Sequence, residues 1–134
     1  SITAFYTVLV EGDDFNEPIA DAVRGILDGH LVLSRHLATA NHFPAIDVLE
    51  SVSRLAPDVM TGDQAELTSL ARDLISIFRK NEDLINLGAY HKGVNSRIDL
   101  AIDLHDRLNN LLRQESDDLS DRETSFARLK EVFS

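Results

Sequence analysis

An arginine ends a run that a core segment would normally close with a turn: HFPAIDVLESVSRL, residues 42–55, delivers Arg54 after Leu49, Val52 and two serines. A guanidinium is permanently charged and presents a planar fork of donors that suits a phosphate bidentately. Two readings are open for Arg54. It pairs structurally with Asp47, Glu50 or a sheet carbonyl, or it is delivered to a phosphate held by a neighbour. Phe43, just before Pro44, has a similar choice between core aromatic and stacking platform for a flat ligand. Asp13 and Asp14 could act as paired carboxylates for acid–base work or Mg²⁺, but a turn after a strand is the plainer account of them. Asp117-Asp118 reads as a solvated loop before a helix cap. The five histidines, at 30, 36, 42, 91 and 105, have no HExxH or other ligand spacing. His36 and His42 would need a carboxylate brought to them in space. No GxxxxGK[ST] loop is present to cradle phosphates and no serine has the GxSxG elbow. The residues by themselves do not describe a self-contained enzyme.

Elements of two kinds must position these side chains. ITAFYTVLV, residues 2–10, is β-branched and aromatic with little alternation, which predicts a strand covered on both faces, as in a parallel or mixed sheet. EGDD ends it with turn chemistry. NEPIADAVRGILDG predicts a short helix capped by Asn16, with Pro18 in its first turn and Gly29 after its end. HLVLSR predicts a second short strand, and HLATAN a turn or short helix. After Pro57 the pattern changes. Leu67, Leu70, Ala71, Leu74, Ile75 and Phe78 share one helical face, and Asp63 with Glu66 has the form of a capping box. EDLINLG predicts a separate short turn closed by Gly88, and AYHKGVN a loop. Ser96 with Asp99 opens another helix, carrying Ile98, Ala101, Ile102, Leu108, Leu111 and Leu112. Ser120 with Glu123 opens a third, aligning Phe126, Leu129 and Phe133. The second half therefore predicts a small antiparallel helical bundle. Two short strands and a helix cannot cover a sheet, so the first half needs partner strands the sequence lacks. With no opening methionine, this points to a piece of a longer chain.

The totals remove several classes. The net charge of −10 divides evenly, with 3 basic against 8 acidic residues up to Pro57 and 10 against 15 beyond. A uniformly acidic chain repels phosphate backbones, which argues against a nucleic-acid partner. The absence of cysteine removes disulfides and thiolate metal sites. No apolar run reaches membrane-span length, and no signal peptide is visible.

Three stretches carry a family likeness. ITAFYTVLVEGDDFNEPIADAVRGILDGHLVLSRHLA, HFPAIDVLESVSR and EDLINLGAYHKG resemble the flagellum-specific and type III secretion ATPases, relatives of the rotary ATP synthase subunits. The resemblance implies α/β plus all-α architecture. Residues 1–57 would be the terminal strands of an incomplete RecA-like nucleotide-binding core, and residues 58–134 a C-terminal helical domain. It implies an ATP hydrolase that powers protein export as a homohexameric ring, using ATP and Mg²⁺. The phosphate loop and catalytic glutamate would lie upstream, so this stretch alone is expected to hydrolyse nothing and to hold no cofactor. Arg54 would be the finger reaching a neighbour's γ-phosphate, and Phe43 an adenine-packing aromatic that keeps the stacking face without a tyrosine hydroxyl. Tyr90, His91 and Lys92 fall where related ATPases turn a loop towards the central stalk. The implied partners are a stalk coiled coil, a regulator and export chaperones. The implied place is the cytoplasm, peripheral at the inner face of the export apparatus. An alternative is a stand-alone helical docking module for a chaperone or stalk, from a virulence-type system.

Overall fold

The computed structural model describes residues 2–10 and 18–134, with the side chains of residues 19–21 excepted. The cap assigned to Asn16 and the Asp13-Asp14 pair lie outside the described residues. Residues 2–10 form no regular element, and all but Val10 are exposed, with Ile2 at 98% and Phe5 at 93%. A strand needs a neighbour's N–H and C=O groups, and among the described residues none is offered. The predicted strand is therefore not formed.

The first elements are α1 (Pro18–Ile26), β1 (Gly29–Leu33), α2 (Arg35–Thr39) and β2 (Ile46–Ser53). Gly29 does not follow a helix as a cap. It opens β1 against Ser53, where an added Cβ would lie 2.8 Å from the Val52 carbonyl oxygen, so only glycine permits this approach. β1 and β2 pair antiparallel, not parallel. Their register is broken: His30 faces Val52 but Val32 faces Asp47, so two steps on β1 match five on β2. Three extra residues thus bulge from β2.

The bulge is bonded from all sides. Asp47 Oδ1 accepts the Leu49 and Glu50 N–H groups at 2.9 and 3.2 Å. The Ser51 hydroxyl donates to the Asp47 carbonyl at 2.6 Å and accepts the Val32 N–H at 3.0 Å. Arg72 forks onto the carbonyls: Nη1 donates to Val48 and, at 3.4 Å, to Ser51, while Nη2 donates to Leu49 at 3.1 Å and to Ser51 at 3.5 Å. Arg79 pairs with Asp47 at 3.0 Å.

Both arginines belong to α4 (Gly62–Asn86), which follows the short α3 (Ala56–Val59). α4 runs 25 residues without interruption, absorbing the stretch that the sequence suggested was a separate turn. RKNEDLIN contains neither glycine nor proline, so nothing stops the helix before Gly88, which takes φ +67°. The capping box sits two residues earlier than Asp63/Glu66, on Thr61 and Gln64. Likewise Asn95 caps α5 (Ser96–Leu112) and Asp121 caps α6 (Arg122–Val132), each one residue away from the predicted serine. In both cases an equally good cap lies beside the serine, so the local signal leaves one residue of choice.

The core is Ala71, Leu74, Ala101, Leu108 and Val132, flanked by Ile75, Phe78, Leu104, Leu129 and Phe133. Leu74 is 2% exposed. Phe78 stacks on His105 with centroids 3.5 Å apart. Arg97, in the first turn of α5, pairs with Asp73, which lies 13 residues before the end of α4. His105, about two turns further along α5, stacks on Phe78, five residues further along α4. Antiparallel helices would carry His105 the other way, so α5 crosses α4, which corrects the antiparallel expectation. The small Ala71 and Ala101 let the backbones approach at the core.

The bulge chemistry sets two expectations. Arg72→Leu leaves three part-buried carbonyls without their donor and lowers stability by about 2–3 kcal/mol. Urea unfolding measures the loss, and Arg72→Lys restores only part of it because an ammonium cannot fork. Burial alone would raise the Asp47 pKa, but the Arg79 hydrogen bond and the Glu50 and Leu49 amides outweigh it and hold the carboxyl below its ordinary 3.8. The stabilisation is complete above that value and is lost as pH falls through the lower folded one. Asp47→Asn therefore flattens the acid limb of the stability curve below about pH 4.

Candidate functional site

The two residues of greatest chemical interest stand beyond opposite ends of β2. Arg54 follows its last residue. The Arg54 N–H donates to the Asp28 carbonyl at 2.7 Å, which fixes the main chain. Its guanidinium is exposed and donates to the carbonyls of Gly25 and Arg24, both at 3.5 Å. These carbonyls close α1, where the helix dipole favours a cation. Neither Asp47 nor Glu50 holds Arg54. Asp47 is taken by Arg79, and Arg54 rests on carbonyls of a helix rather than of a sheet. An open cavity of about 340 Å³ lies beside it.

Phe43 precedes β2 and is 50% exposed. Its carbonyl accepts the Gln114 N–H at 2.9 Å, so the residue just past α5 fixes the Phe43 backbone. The adjacent His42 is buried, and burial, then the Arg113 charge, pushes its pKa below 6.5. The ring of Phe43 is left with an open face. The HFPAIDVLESVSR run is thus less buried than its apolar content suggests. Its buried residues are His42, Asp47 and Ser51, all polar, while Val52 is exposed.

The loop after α4 is closed on itself. The single Tyr90 Oη proton has Asp99 Oδ1 at 2.8 Å and the Asn95 carbonyl at 3.0 Å within reach, and the hydroxyl oxygen accepts the Asn95 N–H at 3.3 Å. The other Asp99 oxygen accepts the Gly93 N–H at 2.9 Å. Lys92 pairs with Asp103 at 2.7 Å. Asp99 is therefore a loop anchor, not the partner of a Ser96 cap. Tyr90 is only partly exposed and its hydroxyl is in use, so it is not the free anchor its sequence position suggests. His91 is exposed. The Asp99 hydrogen bond and the partial burial of Tyr90 raise its pKa, with burial the larger cause, and the Asp103 hydrogen bond raises that of Lys92.

The structure does not bring Phe43, Arg54 and residues 90–92 together. Among the described residues no group of three His, Cys, Asp or Glu side chains could hold a metal ion, and no helix is long and apolar enough to cross a membrane. Phe43 is half exposed and the Arg54 guanidinium is exposed, while Asp13 and Asp14 lie outside the described residues. Sequence reasoning missed Arg72 and Arg79. Their partners are main-chain carbonyls and one aspartate over twenty positions away, and no local spacing signals that. It also passed over Arg24 and His30, which line the Arg54 cavity.

Two family models match. Residues 1–53 match the nucleotide-binding domain of the ATP synthase alpha/beta family, and residues 60–131 match the T3SS EscN ATPase C-terminal domain. The flagellum-specific ATP synthase of Bacillus subtilis is 50% identical over 96% of this chain. The chain spans 30% of that relative's length. Among solved structures, the assembled ATPase EscN of the enteropathogenic E. coli type III secretion system matches all of this chain with 42% identity and a TM-score of 0.95, over 32% of its own length. EscN in complex with its central stalk EscO matches 87% of this chain, with 38% identity and a TM-score of 0.82, over 29% of its own.

The closed loop separates two substitutions. Tyr90→Phe removes the hydroxyl's bonds to Asp99 and Asn95 and lowers the thermal midpoint, with faster hydrogen exchange at Gly93. His91→Ala leaves both unchanged, because exposed substitutions away from such bonds are close to neutral.

Proposed function

The chain belongs to the type III secretion and flagellum-specific ATPase family, and from that premise we propose that it is the arginine-bearing end of an ATPase that drives flagellar or type III protein export as a homohexameric ring. The observation that carries this reading is the Arg54 guanidinium, exposed at a surface edge and held only by two bonds of 3.5 Å. The structural arginines of this chain are held more closely, Arg79 by the Asp47 carboxylate at 3.0 Å and Arg72 by a fork onto three carbonyls. In phosphoryl transfer, catalysis is positioning and charge stabilisation, and a finger supplied by a neighbour contributes roughly a thousand- to a hundred-thousand-fold in rate. Arg54 donates to the phosphoryl oxygens of ATP held by the adjacent copy, so hydrolysis depends on assembly.

Phe43 packs on adenine within its own subunit. Its open face suits that, and its separation from Arg54 suits two different nucleotide sites, one shared with each neighbour. The division at residues 57 and 58 into core and helical domain is part of the same reading. So are ATP with Mg²⁺ as the substrate complex, bound mainly by upstream residues, and a cytoplasmic place at the inner face of the export apparatus.

The solved complex of a relative with its central stalk supports a second, compatible role for the loop at residues 89–93. We place a stalk coiled coil against it, with His91 and the Lys92 stem as contacts. Tyr90 holds the loop in shape. A regulator and export chaperones are further candidate partners of the helical half.

Hydrolysis by the full-length protein carrying Arg54→Ala tests the main reading across protein concentrations. Activity falls by roughly a thousandfold or more, while nucleotide affinity and assembly persist. Unchanged hydrolysis would make Arg54 structural. Phe43→Ala raises the KM for ATP and Phe43→Tyr does not, because only the first removes the ring.

A further inference from the structure

The cavity beside Arg54 has an unusual charge. In a chain with 23 acidic and 13 basic residues, the ionisable groups that line it among the described residues are Arg24, His30 and Arg54, with no carboxylate among them. Asp28 is adjacent in sequence, yet it contributes its carbonyl to the Arg54 N–H and does not line the opening. Among the residues whose side chains are described, no carboxylate pairs with Arg24 or Arg54. His30 Nε2 is buried without a hydrogen-bond partner among them. Buried polar atoms are ordinarily satisfied, so this nitrogen faces a missing partner. The bonds that hold Arg54 are at the outer limit of hydrogen-bond length, and a charged acceptor displaces neutral carbonyls.

Two arginines around one opening repel each other unless an anion lies between them. We propose that Arg24 is a second arginine for the anion that Arg54 binds, so that the end of α1 and the end of β2 form one phosphate site with the His30 ring in its wall. The inference rests on the reading of Arg54 as an arginine given to a neighbour's nucleotide. It adds Arg24, in the last turn of α1, as a further contact to the same terminal phosphate. The carbonyls of Arg24 and Gly25 keep Arg54 at the rim of the site until that phosphate arrives.

Steady-state ATP hydrolysis by the full-length protein tests this with Arg24→Gln, Arg24→Lys, Arg54→Ala and the Arg24→Gln/Arg54→Ala double variant. Assembly and thermal midpoint are measured alongside. Arg24→Gln lowers kcat by about 10- to 100-fold, with KM for ATP within about threefold, midpoint unchanged and assembly intact. Arg24→Lys recovers part of the loss. The double variant is no worse than Arg54→Ala, because residues acting on one group are not additive. If Arg24→Gln keeps full kcat while Arg54→Ala is inactive, this inference fails and the finger reading stands. If both variants keep full activity, both fail. If Arg24→Gln and Arg24→Lys lose activity equally, with a lowered midpoint, Arg24 is a structural residue and the inference is overturned.

Discussion

The fork of Arg72 onto the carbonyls of Val48, Leu49 and Ser51 is the constraint on which the rest of this structure depends. A three-residue bulge in a two-stranded sheet has no ladder to satisfy it. Left to water, it would fluctuate between registers. Asp47 and Ser51 satisfy its donors from within the strand, and Arg72 satisfies its acceptors from α4. One side chain thereby fixes the bulge and ties β2 to the helical half. The Asp47–Arg79 pair adds a second tie two helical turns further on.

Fixing β2 fixes both of its ends. The residue after it, Arg54, is placed by its main-chain bond to Asp28 and by the approach that Gly29 permits. The residues before it are placed by Gln114, from beyond α5. α4 and α5 therefore determine where an arginine and an aromatic stand, though neither helix carries those side chains. α6 joins the same frame: Arg122 donates to the Val59 carbonyl and, at 2.9 Å, to Gln64, closing the segment that leads from β2 into α4.

Polar residues hold much of this together in an acidic chain with a small core. Arginine recurs at the joints because one guanidinium satisfies several carbonyls at once and stays charged at any relevant pH. Arg54 contrasts with Arg72, Arg79, Arg97 and Arg122, each of which has a partner within 3.1 Å. Its own bonds lie at 3.5 Å and its guanidinium stays exposed.

The helices were legible in the sequence because their signals are local. The stripe from Leu67 to Phe78 and that from Ile98 to Leu112 need only a period of 3.6, and their caps were placed within two residues. Arg54 and Phe43 stood out because their types are odd for their positions, and the family likeness gave them roles. The strand at residues 2–10 was legible as composition alone, since pairing belongs to the neighbour and not to the strand. The bulge, the crossing of α4 and α5, and the closing of the loop by Asp99 and Asp103 were decided only in three dimensions. Each depends on partners far apart in sequence, and any arginine or aspartate on a helix looks like any other until packing brings it to a carbonyl or hydroxyl. The sequence by itself determined which segments are helices and which residues could do chemistry. Tertiary structure decided which charges are spent on the fold and which are left for a ligand, because that depends on whether a partner lies within hydrogen-bond reach.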